Sequence, residues 1–471
     1  MDTVGMDTVG MDTVGMDTVA ITRLTPPFPP RPTTPLGIRS FLRAVRTNAL
    51  TIWPESAYRT PVTIRRFMGR NMLLLAEPDA IHHVMVENPG NYRRTPASIR
   101  ILRPITGKGL LLSEGESWKL QRRTIAPALA PRVLPTLSPH IAATTQEVLD
   151  LLEAQGDQPV DLLAMMQNLA LDIAGRTMFS LEMRDHGAAM RRMLGEFAVD
   201  YARPNLFDML LPIGISTLRD LGRGRFQARW MRLIETLMAD RMRAAPPDMP
   251  RDLFDLLRAA RDPDTGAAFS ATELRDQVAT MILAGHETTA VTLFWALVLL
   301  SQAPVEQATL AREVATIDLS PPHAHRALTH LPYTRAVVNE TLRLFPPAFT
   351  IVREAMGPDR VLDIDIRRLD VLMIAPWVLH RHHAWWPEPD TFDPARFLPD
   401  APLPPRFAYL PFGAGPRICV GAQFALTEAT IALASLIQRF EVRLADTRPV
   451  LPAAVVTTQP DHPPPFLLRR R

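Results

Sequence analysis

Two short stretches of the chain carry residue types suited to chemistry, and each stands out against its surroundings. The first is PFGAGPRICVGA, where Cys419, the only cysteine, lies between a glycine-rich loop and a helix predicted from about Val420 to Arg439. A thiol in that place has its anion favoured by the helix dipole and by the free backbone N–H groups just after it. Gly413, Gly415 and Gly421 let the backbone approach something flat and bulky, Phe412 can cover the sulfur, and Arg417 offers a fork for an acidic group. The loop is not a dinucleotide fingerprint, because Ile418 stands where the third glycine of G-x-G-x-x-G is needed.

The second stretch is AGHETTA, residues 284–290, inside the apolar run VATMILAGHETTAVTLFWALVLL. It begins like the zinc-protease motif H-E-x-x-H, but Ala290 occupies the second histidine position, so no metal pair forms. Two readings remain on this helix alone. In one, Thr288 and Thr289 bond back to carbonyls four residues earlier, Gly285 admits a neighbouring helix and Glu287 pairs with an arginine. In the other, Ala284, Glu287, Thr288 and Val291 share a face with Thr280 and Met281, and that face admits a small ligand and hands it protons. His286 points away from this face and reads as a packing histidine.

Elements that could hold these residues are legible around them. Ser270 and Glu273 form a capping-box pattern and Pro304 marks a stop, so the AGHETTA helix runs for about thirty residues, or roughly 45 Å. Other helical periods fall at 134–155, 159–183, 187–202 and 226–243, with strand-like pieces near 61–79 and 361–366. Proline, 46 residues in all, is about twice as frequent as usual and clusters at the joints. From Arg381 to Pro416 the periodicity fades into a meandering loop, and loops of that length are uncommon unless functional.

The 471 residues, 47% hydrophobic and 21% charged, bury a large core in a mainly α protein with small β-sheets. A formal charge of +3 is too small for wholesale nucleic-acid binding. One cysteine permits no intrachain disulfide, which suits a reducing cytosol. The N-terminus reads MDTVG three times and then MDTVA; it is expected to be a disordered tail, neither signal peptide nor membrane anchor. Residues 1–36, this repeat and a Pro-rich polyproline-like segment, are expected to lead into a single domain spanning 37–471. The apolar run Ala290–Leu300 is about half of what a bilayer span needs, so the chain reads as soluble and cytoplasmic.

Phe412-Gly413-Ala414-Gly415-Pro416-Arg417-Ile418-Cys419-Val420-Gly421 matches F-G-x-G-x-R-x-C-x-G at every fixed position. On this signature the chain resembles the cytochrome P450 family, in its soluble bacterial form. Further family marks follow in order: W-x-x-x-R at Trp118 and Arg122, the A/G-G-x-D/E-T-T element at residues 284–289, E-x-x-R at Glu340 and Arg343, and the meander arginine at Arg396. His382 and His383 depart from the meander's usual acidic residue and proline.

The resemblance implies a triangular, helix-rich haem domain with haem b between the AGHETTA helix and the cysteine loop. It implies Cys419 as axial ligand of the haem iron, with Phe412, Gly413, Gly421 and Ala284 shaping the haem site. Trp118, Arg122, Arg417 and, as a further candidate, Arg353 hold the propionates. Glu287 and Thr288 then deliver protons during dioxygen activation, while Glu340, Arg343 and Arg396 form a buried network that locks the meander. An apolar substrate is expected against Met281, Ala284 and Phe349, with the loops Ile101–Leu112 and Ala348–Val352. Electrons would come ultimately from NAD(P)H through a ferredoxin or flavodoxin, since the chain carries no flavin, nicotinamide or iron–sulfur motif. Lys119, Arg122 and Arg123 make a basic patch toward such an acidic partner. The protein is expected to act as a monomer. A haem-thiolate isomerase or peroxygenase, or a non-catalytic haem-binding protein, is the alternative within the same fold.

Overall fold

The computed structural model describes residues 23–67, 69–180, 186–243, 250 and 252–471. The MDTVG repeat therefore lies outside the described residues, as does most of the proline joint near 245.

The central helix, Ala271–Gln302, begins where Ser270 caps the Glu273 N–H (3.3 Å) and Glu273 accepts the Ser270 N–H (2.9 Å). It ends before Pro304, which opens the next helix, Pro304–Val314. Its composition would let it cross a membrane, but most of its apolar stretch is buried inside the protein. The two halves of this helix pack into different cores. Leu274 to Leu283 join a cluster with Phe226, Trp230 and Phe254, while Ala290 to Leu300 join one with Phe345, Trp377 and Ile431. Trp295 stacks flat on Phe345, ring centroids 4.1 Å apart. The polar AGHETT stretch thus falls at the seam between two hydrophobic clusters, which is where a cavity opens.

Helices Leu162–Phe179 and Ala422–Arg439 pack on the central one, Leu162–Phe179 most extensively, and Leu134–Ala154 packs in turn on those two. The period near 187–202 is a helix Gly187–Glu196 that continues into a π-turn. The 226–243 period starts earlier, at Leu218, because Thr217 and Asp220 build a capping box ahead of a glycine-containing stretch that reads poorly as helix. VLDIDI is a tight hairpin, strands Asp359–Val361 and Ile364–Ile366, turned by Leu362 at φ 52°. The largest sheet orders its five strands as Val62–Phe67, Arg70–Leu75, Val371–Ile374, Ile351–Ala355 and Tyr92–Arg93.

The Pro-rich segment has neither helix nor strand, yet it does more than lead into the domain. The Leu24 carbonyl accepts the Phe392 N–H (2.8 Å) and the Pro32 carbonyl accepts the Glu55 N–H (2.9 Å). Arg31 lies between the Phe28 and Tyr58 rings, 4.5 and 4.0 Å from their centroids, and pairs with Asp390 at 2.5 Å. The domain's packed structure therefore begins before Gly37, at the first described residues.

Candidate active site

Every residue expected to hold the cofactor lines one cavity of about 740 Å³, together with Glu287, Thr288, Met281 and Phe349. Glu340, Arg343 and Arg396 stand outside it. Of the two loops expected against a substrate, Ile101, Leu102, Leu110 and Leu111 come from the first and Ala348 to Val352 from the second.

Cys419 donates its backbone N–H to the Phe412 carbonyl (2.9 Å), closing the loop so that the sulfur faces the cavity. The turn needs glycine at two places. Gly413 and Gly415 have φ of 72° and 67°, and a Cβ on Gly415 would meet the Met85 carbonyl oxygen at 1.9 Å. Gly421 and Gly285 face open space, so neither serves a close helix approach, and Gly285 does not admit a neighbouring helix. Burial pushes the Cys419 thiol up, against the pull of the Gly421 N–H and of Arg122. Ligation to a metal would favour loss of the proton.

Overhead, the Thr288 hydroxyl donates to the Ala284 carbonyl (2.6 Å), the back-bonded arrangement, and still lines the cavity. Among the described residues Glu287 pairs with no arginine: the Thr457 hydroxyl (2.9 Å) and the Gln459 amide (2.7 Å) both donate to its Oε1. Val291 leaves the expected polar face and is wholly buried in the core, while Thr289 and Thr292 join the lining instead. His286 is buried on the far side, its imidazole pushed down to about 4 by burial. A further lining residue, Glu428 on the cysteine helix, is buried with no hydrogen-bond partner for its Oε1, and burial pushes its carboxyl up to about 8. The neighbouring Thr289 side chain opposes that shift.

At one side of the cavity three guanidinium groups gather near a single carboxylate, and two of them bond to it. Arg94 (3.0 Å) and Arg417 both pair with Glu114, and Arg417 also lies 4.6 Å from the Trp118 ring centroid. Among the described residues Arg353 has only the Val352 carbonyl as a hydrogen-bond partner, 2.9 Å away. Burial, then Arg94 and Arg417, push Arg353 down to about 9, against Glu114. Arg417 is pushed down to about 10, by burial and then by Arg94. Arg122 donates to the Ile418 carbonyl (2.7 Å), tying the Trp118 helix, Gly115–Ile125, to the cysteine loop. Buried cations in excess of anions are costly, and two carboxylates entering here would balance them. That donor set, with a sulfur facing the same cavity, fits a haem with its propionates at the arginines. Arg94, just past the strand Tyr92–Arg93, is not legible as a site residue from any motif; its neighbour Arg93 reaches Glu354 at 2.7 Å instead.

Beneath the site, Arg343 uses all five of its donors. It makes two bonds to Glu340 (2.7 and 2.8 Å) and three to the carbonyls of His380, Pro389 and Thr391 in the meander. Both side chains are 0% exposed. Arg396 stands 3.6 Å from Glu340 and completes the network.

The family model described as Cytochrome P450 matches residues 54–463. This chain belongs to the cytochrome P450 family. It is 34% identical to cyclooctatin synthase of Streptomyces melanosporofaciens, over 80% of this chain and 82% of that one. Cyclooctat-9-en-7-ol 5-monooxygenase of the same organism is 31% identical, over 72% and 74% of the two chains. LUTEIN DEFICIENT 5, chloroplastic, of Arabidopsis thaliana is 29% identical, over 87% and 72%. Among solved structures, a cytochrome P450 (CYP102L1) superposes with a TM-score of 0.80 at 23% identity, covering 95% of this chain and all of that one. The cytochrome P450DA heme domain gives 0.74, also at 23%, covering 87% and 90%. These structural likenesses establish the helix-rich P450 fold. The chain is a haem-dependent cytochrome P450 monooxygenase, and the family implies a redox partner and an apolar substrate.

Proposed function

We propose that this P450 hydroxylates or epoxidises a largely hydrocarbon molecule of terpenoid type, and that it works as a cytoplasmic monomer without a membrane-spanning anchor. Electrons derived from NAD(P)H reach it through a ferredoxin- or flavodoxin-type protein. The reaction consumes dioxygen, two electrons and two protons, leaves one oxygen atom on the substrate and releases the other as water. The observation that carries this reading is a single apolar-walled cavity with Cys419 on one side and Glu287 and Thr288 on the other. Two relatives support the substrate class: cyclooctatin synthase, and one whose name describes oxygenation of an unsaturated alcohol.

Haem, when bound, supplies dioxygen activation and the oxidising power. The chain supplies the rest. Cys419 Sγ would ligate the haem iron, and Arg94, Arg353, Arg417 and Trp118 would hold the propionates. Thr288 presents oxygen lone pairs to the cavity while its proton rests on the Ala284 carbonyl, so a small rotation turns it from acceptor to donor. Glu287 is fixed by two donors on Oε1 and passes protons in from the Thr457 side.

The basic patch expected on the partner-facing helix is partly neutralised. Lys119 pairs with Glu116 at 2.7 Å, and Arg123 with Asp262 at 3.1 Å and also with Asp264. Salt is therefore expected to weaken partner docking only modestly.

Reductant-dependent product formation from a terpenoid panel tests the reading. Thr288→Ala is expected to keep haem and consume reductant while releasing hydrogen peroxide in place of product. Unchanged coupling in that variant contradicts the role given to Thr288.

A further inference from the structure

Residues 107–114 join the helix Pro96–Thr106 to the Trp118 helix, and Leu110 and Leu111 among them line the cavity. Connections of that kind normally run over the surface and are mobile. This one is bound to the central helix through its backbone. The Lys108 N–H donates to Asp276 Oδ2 (2.8 Å) and the Leu110 N–H to Gln277 Oε1 (2.9 Å). A backbone N–H can only donate, so the Gln277 amide group has one orientation. Its Nε2 donates to Gln121 Oε1 (2.9 Å), and Gln121 Nε2 donates in turn to the Lys108 carbonyl (3.2 Å). The circuit closes on the loop where it began. Asp276, Gln277 and Gln121 are 4%, 0% and 3% exposed, so water does not take the place of any partner they lose.

The residue types of the loop allow this approach. Gly107 has φ 59°, and a Cβ there would strike the Asp276 carboxylate; one on Gly109 would strike the Thr280 hydroxyl and the Asp276 carbonyl. Lys108 between them is exposed, although its N–H and carbonyl are both bonded to buried side chains. Lifting the loop breaks its bonds to Asp276, Gln277 and Gln121 together and strands buried polar groups. The central helix also carries Thr288, and the helix of Gln121 also carries Trp118 and Arg122. The wall at Leu110 and Leu111 therefore stands in a fixed relation to all three.

We propose that Asp276, Gln277 and Gln121 are positioning residues that determine specificity. They hold residues 107–111 as a preformed wall, against which a bulky apolar ligand packs without first having to order the loop. The wall rests on the hydrogen bonds alone; its part in selecting a substrate rests on the reading of this cavity as the substrate site.

Amide hydrogen exchange tests the wall without ligand or turnover. In the native protein the Lys108 and Leu110 amides should exchange as slowly as those of the central helix. Exchange as fast as in an exposed loop overturns the proposal, whatever the substrate. Gln277→Leu should speed the Leu110 amide on the order of tenfold or more, as for a hydrogen bond whose partner stays buried. Asp276→Asn keeps an acceptor for Lys108 and should keep that amide slow, whereas Asp276→Ala should release it.

Spectral titration of the haem-loaded protein with two iron-binding azoles reads the consequence. Clotrimazole, large enough to press on the wall, should bind Gln277→Leu roughly tenfold more weakly than the native protein. Imidazole, too small to reach the wall, should bind both alike. Gln121→Leu breaks the circuit at its far end and should give the same pattern, which keeps the test decisive should Gln277→Leu not fold. Equal weakening of both azoles, or of neither, beside slow native exchange leaves the wall standing and overturns its role in specificity.

Discussion

Arg343 is fully buried and Arg353, ten residues on, is partly buried against the cavity, and their surroundings differ completely. Arg343 spends every N–H on Glu340 and on meander carbonyls. Arg353 has one carbonyl and two arginine neighbours that repel it. A buried charge with all its partners inside the chain is a folding device, and one left short of anions is a receptor for something the chain does not provide. The same distinction separates Glu340, which accepts from Arg343 and from the Asp393 N–H (2.8 Å), from Glu428, whose Oε1 has no donor.

Substitutions at these positions should part accordingly. Arg343→Ala leaves Glu340 as an unpaired buried anion and frees the meander, at a cost of about 3 to 5 kcal/mol. Chemical denaturation should show a large loss of stability with or without haem, and a mild effect would break the distinction. Glu428 comes next. Its folded form keeps the proton up to about pH 8, whereas the unfolded chain releases it near 4.5. The unfolded state then holds fewer protons between those values, so this group's contribution favours folding below about 4.5 and is lost as pH rises to about 8. Glu428→Gln should remove that decline, a difference on the order of a few kcal/mol, read from urea midpoints at pH 5 and pH 8.

Arg353→Ala should be the mildest for folding and the most selective. The haem-free protein should be no less stable, since a repelled cation is gone. Haem should nevertheless leave roughly ten- to a hundredfold more readily, as expected for one lost charged hydrogen bond of about 1.5 to 3 kcal/mol. Haem transfer to an excess of a haem-scavenging protein measures this. Destabilisation of the haem-free form would instead place Arg353 with Arg343.

The contrast also explains what was legible beforehand. Local signals read well: the Ser270 capping box and Pro304 bounded the central helix, and the cysteine loop's residues fell into one cavity. Spacing along one helix named Glu287 and Thr288 but misplaced Val291, because a 100° step cannot tell a cavity-facing stripe from the adjacent core stripe. Partners brought from far along the chain were illegible. Arg94 meets Glu114, and Glu114 meets Arg417, only once the fold gathers three separate loops, and Thr457 and Gln459 reach Glu287 from a C-terminal hairpin. The Pro-rich segment looked like a lead-in because its contacts, Leu24 with Phe392 and Arg31 with Asp390, close loops of more than 350 residues. The motif likewise suggested a ready thiolate at Cys419, whereas burial works against one.

The sulfur that faces the cavity decides the chemistry, and the carbon monoxide difference spectrum of the reduced protein interrogates it directly, in the native chain and in Cys419→Ser. The native protein should give the long-wavelength band of thiolate-ligated haem, and the variant should lose it. The same band in the variant, or its absence from haem-saturated native protein, would contradict Cys419 as the ligand.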